Sequence, residues 1–296
     1  MTSSNPMNNI LQISEVHALA AIFILLTAIN VFSYIYRLQH QLSSYIRYIW
    51  FYFLIFLVAE TISFYIATWL WGILSFFVLR EFFSLIDFRL QDRFGVVAAY
   101  LSIPFMMHFI HTDWYNLFII TIPVYSFLII PFLVAIGGKE AEGAINSIAV
   151  IIFGLFLFVY CIGHIAYLSY YNIWMASVLI LNIVIFDMSA FVIERRVEST
   201  LRRVLYSYII PVPFTIVLTL SLAEWCALPQ FHAIILGTII PAIIIIGNFS
   251  LKYLASDLGI VKDNLHPGRG VIIYNIKSIL YAAPVVLHYY RYFIGG

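Results

Sequence analysis

Charge is what this chain has least of. Asp, Glu, Lys and Arg make up 10% of its 296 residues, against about 25% in soluble domains. Hydrophobic residues make up 64%, and the mean hydropathy is +1.00. A water-soluble globular domain and a disordered chain both need more polar surface than this, and both are excluded. An excess of one sign is also missing: 15 Lys and Arg against 14 Asp and Glu leave a net charge of +1. No basic face is available for a polyanion, so no nucleic-acid partner is expected. The two cysteines, Cys161 and Cys226, fall in or beside different apolar runs and provide neither a disulfide framework nor a zinc pattern. No Lys or Arg precedes Arg37, so a cleavable signal peptide is not expected. A glycine-rich nucleotide loop following a strand is likewise missing.

What the chain has is apolar runs. They cover 17–36, 48–78, 95–111, 114–136, 145–168, 174–193, 204–222, 231–248 and 271–290. The run at 48–78 is too long for one crossing and divides near Glu60–Ser63. Each crossing takes about 20 residues, so ten consume roughly two thirds of the chain and leave no room for a soluble domain. The runs are continuous rather than alternating, which excludes a β-barrel. The expectation is an all-α, polytopic membrane bundle of about ten transmembrane helices. It forms one domain over 1–296, with a short tail at 1–16 and a polar loop at 250–270. Pro211 and Pro213 predict a kink at the start of the eighth span.

The basic residues give an orientation. Arg37 and Arg47 precede the long run, and Arg80, Arg89 and Arg93 follow it. Both groups can face the cytoplasm only if the run crosses twice. Every later cluster then falls on the same side: Lys139, Arg195 and Arg196, Arg202 and Arg203, and Lys252, Lys262 and Arg269. The loops near 111–114, 169–172 and 224–230 carry no Lys or Arg, and Arg291 is the one basic residue on the far side. Both termini are therefore expected outside the cytoplasm, in a cell (inner) membrane of the bacterial type.

Ionisable groups inside an apolar phase are costly and are functional candidates by default. Asp187, in IVIFDMSAFVIERR, is the clearest; it could organise a metal or phosphate site, or simply pair with Arg195 two turns on. Glu60 reads as hydrated at the outer hinge, and Glu81 as pairing with Arg80 or another loop charge. His164 reads as a lone packing histidine, since a metal needs several ligands. Trp69, Trp71, Trp114 and Trp174 read as interface anchors.

The segment GNFSLKYLASDLGIVKDNLHPGRGVIIYNIKSILYAAPVV resembles the C-terminal motif of the phosphatidate cytidylyltransferases (CDP-diacylglycerol synthases). That motif reads approximately G-D-x-x-E-S-x-x-K-R-x-x-G-V-K-D, then P-G-H-G-G-x-x-D-R-x-D-S, then A-A-P. Here Gly247, Gly259 to Asp263 with one extra residue, Pro267, Gly268, Gly270, Ser278 and Ala282-Ala283-Pro284 agree with it. DMSAFVIER is similar to the family's D-T-G-A-Y-F-x-G-R, which aligns Asp187, Ala190, Phe191 and Arg195. VLREFFSLI resembles an early helix end of the family.

The departures are as informative. The aspartate of G-D falls on Asn248, E-S on Leu251 and Lys252, K-R on Ala255 and Ser256, the motif histidine on Arg269, and D-R on Tyr274 and Asn275. A basic S-P-K-K-T loop after the seventh span is not recognisable. The resemblance implies CTP and phosphatidate as substrates, Mg²⁺ as cofactor, and a homodimer. Cytidylyl transfer brings two polyanions together, so it needs metal and cationic side chains to offset the charge that builds up. Asp187, Lys262 and Asp263 are the catalytic remnants, and Asp187 and Asp263 would be the metal ligands of an active enzyme. Arg195, Lys252 and Arg269 could hold a substrate phosphate. Losing several carboxylate and basic positions together points to a catalytically degenerate member of phospholipid metabolism that still meets a phosphatidate-like lipid. The alternatives are a divergent but active CTP:phosphatidate cytidylyltransferase and, last, a carrier or scaffold without nucleotide chemistry.

Overall fold

The computed structural model describes residues 6–36, 40–138, 141–258 and 270–295. Among them there is no strand, and ten helical segments are long and apolar enough to cross a membrane. The first three crossings are α1 (Pro6–Ile35), α2 (His40–Thr61) and α3 (Phe64–Phe83). The fourth is α4 (Arg93–His111), entered through a short turn at Leu90–Asp92. The fifth joins α5 (Tyr115–Ile120) to α6 (Phe127–Gly137), and the sixth joins α7 (Ala144–Leu155) to α8 (Cys161–Tyr171). The seventh is α9 (Ile173–Arg196), and the eighth joins α10 (Thr200–Ile209) to α11 (Pro211–Ser221). The last two are α12 (Gln230–Asp257) and α13 (Val271–Phe293).

The long run divides where expected, after Thr61, and Ser63 caps α3 by accepting from the Tyr65 amide at 3.2 Å. Pro211 stands at the first position of α11, so the eighth span breaks at the proline. The fifth span widens into a π-helical segment over Thr121–Ser126, which contains Pro123. A proline lacks the amide that would continue the i→i−4 ladder, and a wider turn accommodates the gap. A second π-helical segment, Phe156–Tyr160, joins α7 to α8.

The core gathers on α8, where Cys161 to Ser169 are all buried. Helices α3, α4, α9 and α13 surround it, while α1 lies against α2 and keeps most of its surface outward. Small residues let backbones approach, as expected where lipid gives helices no hydrophobic reason to associate. A Cβ on Gly237 of α12 would sit 2.7 Å from the Ile216 Cα of α11, and one on Gly247 would sit 2.8 Å from the Tyr281 Cβ of α13.

Several sequence expectations need correction. The 250–270 segment is not all loop: α12 runs to Asp257, because Leu251, Leu254 and Leu258 continue one helical face against the core. The remainder of that loop, 259–269, lies outside the described residues. The 1–16 tail is helical from Pro6. Trp71 and Trp174 are core residues rather than interface anchors, whereas Trp69 and Trp114 are exposed. Cys226 is fully buried, and burial pushes its thiol up to about 12.

Glu81 does not pair with a loop charge as its main role. Its Oε2 accepts from the amides of Ile272 at 2.8 Å and Ile273 at 3.1 Å, the first turn of α13. A buried carboxylate at a helix N-terminus satisfies orphan donors and meets the positive end of the helix dipole. Gly270, just before that turn, has φ of 87°, a conformation that favours glycine. Glu81→Ala is expected to lower the stability of the purified protein by roughly 1–3 kcal/mol in a detergent unfolding assay, with Glu81→Gln losing less. Glu60→Gln, at an exposed carboxylate, is expected to stay within about 0.5 kcal/mol of the parent.

Candidate functional site

Asp187, Ala190, Phe191 and Glu194 recur at i, i+3, i+4 and i+7, so they share one face of α9. Tyr274, Lys277 and Ser278 share a face of α13 by the same spacing. The Gly247 approach brings Asn248 of α12 alongside them. Together with Tyr45 of α2, these faces enclose a cavity of about 110 Å³ lined by Asp187, Ala190, Phe191, Asn248, Tyr274, Asn275 and Lys277.

Asp187 is held by two hydroxyl donors. Tyr45 donates to Oδ2 at 2.9 Å; Ser278 donates to Oδ1 at 2.9 Å and stands 3.2 Å from Oδ2. The Ser278 hydroxyl is also 3.5 Å from Asn248 Oδ1, so α9, α12 and α13 meet at one atom. Lys277 supplies the opposite charge to Asp187. Its ammonium stands 4.3 Å above the Tyr274 ring, a cation–π contact.

Mg²⁺ does not fit this arrangement. It needs a near-octahedral shell of hard oxygens, whereas Asp187 already accepts from two hydroxyl donors and the lining adds one further carboxylate, Glu194. Asn248 is a neutral oxygen ligand, and a fixed ammonium close by repels a cation. Among the described residues no group of three His, Cys, Asp or Glu could hold a metal.

The sequence candidates separate here. Asp187 is in the cavity. Arg195 is not in the cavity lining; its guanidinium lies 4.1 Å above the ring of Phe191, which is. Lys252 is exposed one turn beyond Asn248 on α12. Lys262, Asp263 and Arg269 lie outside the described residues. Several cavity residues, Tyr45, Glu194 and Lys277 among them, were not singled out from sequence. Lys277 carried a signal, a lysine inside the apolar run 271–290; Tyr45 carried only its place in an aromatic row with Tyr48 and Tyr52.

His164 is not lone. Its Nδ1 donates to the Tyr160 carbonyl at 2.7 Å, which leaves Nε2 as the acceptor facing His288 Nε2 at 3.3 Å. His288 Nδ1 in turn accepts from the Tyr115 hydroxyl at 2.9 Å. Arg291, the basic residue that broke the charge pattern, packs its guanidinium 3.2 Å over the Tyr115 ring. This cluster closes on itself as a structural hydrogen-bond chain.

No family model, curated protein or solved structure matches the chain. Tyr45→Phe and Ser278→Ala are each expected to destabilise the protein by about 1.5–3 kcal/mol, since each removes a donor from a buried carboxylate. The double variant should depart from additivity in a mutant cycle, because both donors serve one acceptor.

Proposed function

We propose that this protein is a catalytically degenerate relative of the phosphatidate cytidylyltransferases, retained in phospholipid (CDP-diacylglycerol) metabolism as a membrane protein that meets a phosphatidate-like lipid. The observation that carries this reading is a convergence. The motif positions fall on three stretches remote in sequence, 187–191, 247–248 and 274–278, and the residues there line or border one cavity. Chance resemblance gives no reason for those stretches to meet.

The same register supports degeneracy. In D-R-x-D-S the second carboxylate falls on Lys277, so a position of negative charge carries positive charge instead. With Asn248 and Tyr274, three carboxylate positions around Asp187 are altered. Each lost positioned charge removes about 10²–10³-fold in rate, and several are gone together. The mechanism is therefore one of binding rather than transfer. In this reading a lipid phosphate would meet Arg195, which lies over the Phe191 ring of the lining, and Lys252, one turn beyond Asn248. CTP and Mg²⁺ are not part of this function, and a homodimer follows only from the family likeness. In this account the cavity end faces the cytoplasm of a bacterial-type inner membrane, and both termini lie on the other face.

Two measurements test it. Purified protein with CTP, phosphatidate and Mg²⁺ is expected to form no CDP-diacylglycerol above background; robust product abolished by Asp263→Asn would establish an active enzyme instead. For orientation, both native cysteines are buried and should resist an impermeant maleimide in intact cells. A cysteine placed at exposed His111 should be labelled from outside, and one at exposed Glu198 only after permeabilisation. The reverse pattern would invert the topology.

A further inference from the structure

A second cavity, of about 390 Å³, opens at the opposite end of the bundle. Asn172 begins α9 at this end and Asp187 lies 15 residues on, which at 1.5 Å per residue separates the two cavities by about 22 Å. The walls combine two carboxylates, Glu15 of α1 and Glu60 of α2, with the rings of Phe64, Tyr170, Tyr171, Trp174 and Trp225. Neither carboxylate forms a salt bridge among the described residues, where the one ion pair is Arg89 with Asp92. Both line the same cavity.

The rings are fixed before any ligand arrives. Trp174 and Trp225 lie 4.4 Å apart between centroids, Phe64 and Tyr170 5.2 Å, and Tyr170 and Tyr171 5.7 Å at a near-perpendicular angle. Asn172 fastens the Trp225 loop by donating to its carbonyl at 3.2 Å. Aromatic faces present negative quadrupole, so rings and carboxylates together favour a positive guest. A metal ion would need six or more oxygens; the lining supplies two carboxylates beside five aromatic rings. An organic ammonium needs no metal-type oxygen shell and is attracted to ring faces as well as to carboxylates.

We propose that this cavity binds an organic ammonium group, held by Glu15 and Glu60 and faced by the rings of Tyr170, Tyr171 and Trp225. The guest is either an amine-bearing lipid headgroup or a soluble amine; both offer the same cation to the same walls. The site is independent of the chemistry assigned to the Asp187 cavity.

The test uses the full chain in nanodiscs of phosphatidylglycerol, with saturation-transfer NMR to the methyl protons of tetramethylammonium. Saturable transfer is expected, with binding weakened about tenfold in both Glu60→Gln and Trp225→Leu. Glu60 is exposed, so Glu60→Gln decides the matter should Trp225→Leu fail to fold. Loss of transfer when phosphatidylethanolamine is included identifies a lipid headgroup. Competition by free ethanolamine but not by the lipid identifies a soluble amine. No transfer, transfer unchanged by Glu60→Gln, or displacement by Ca²⁺ at lower concentration than by either amine would overturn the proposal.

Discussion

The carboxylate of Asp187, accepting from Tyr45 and Ser278 inside an apolar bundle, is the contact on which one half of the structure depends. A charge removed from water is tolerated only where donors meet it. Here the donors come from α2 and α13, so satisfying one side chain of α9 fixes the relative rotation of three helices. Glu81 does the same between α3 and the first amides of α13. Asp92 does it between the turn before α4 and α7, accepting from Arg89 at 2.6 Å and from Ser147 at 2.6 Å. In a bilayer the hydrophobic effect does not select one helix rotation over another, and such polar ties do.

The same contact constrains the function. A carboxylate that serves metal chemistry must keep lone pairs free for the ion. Asp187 already accepts from two hydroxyl donors, and Lys277 supplies opposite charge beside it. Structural satisfaction and metal ligation compete for the same oxygens, and the geometry favours the first. The cavity that remains is small, partly apolar and bordered by Phe191 and Tyr274 rings, each under a cationic side chain.

The ten crossings were legible in the sequence because apolar runs of bilayer length have few alternatives, and the division after Thr61 followed from the basic residues on either side. Asp187 was legible because charge in such a run is costly. Its partners were not: the Tyr45 hydroxyl belongs to an aromatic row that reads as interface, and the pairing with Ser278 spans 91 residues. Glu81 found backbone amides, which no side-chain pattern announces. His164 met His288 across 124 residues. The extension of α12 to Asp257 was missed because the charges of that stretch obscured the period of Leu251, Leu254 and Leu258. The Glu15–Glu60 cavity drew on five elements and had no motif to mark it.

The central claim is that Asp187 is a hydrogen-bonded tie and not a metal ligand. Titrating purified protein with Mn²⁺, a paramagnetic stand-in for Mg²⁺, and following the electron paramagnetic resonance of the free ion tests it most directly. The account predicts the same free-ion signal for the parent and for Asp187→Asn. Binding by the parent that disappears in a folded Asp187→Asn protein would contradict it.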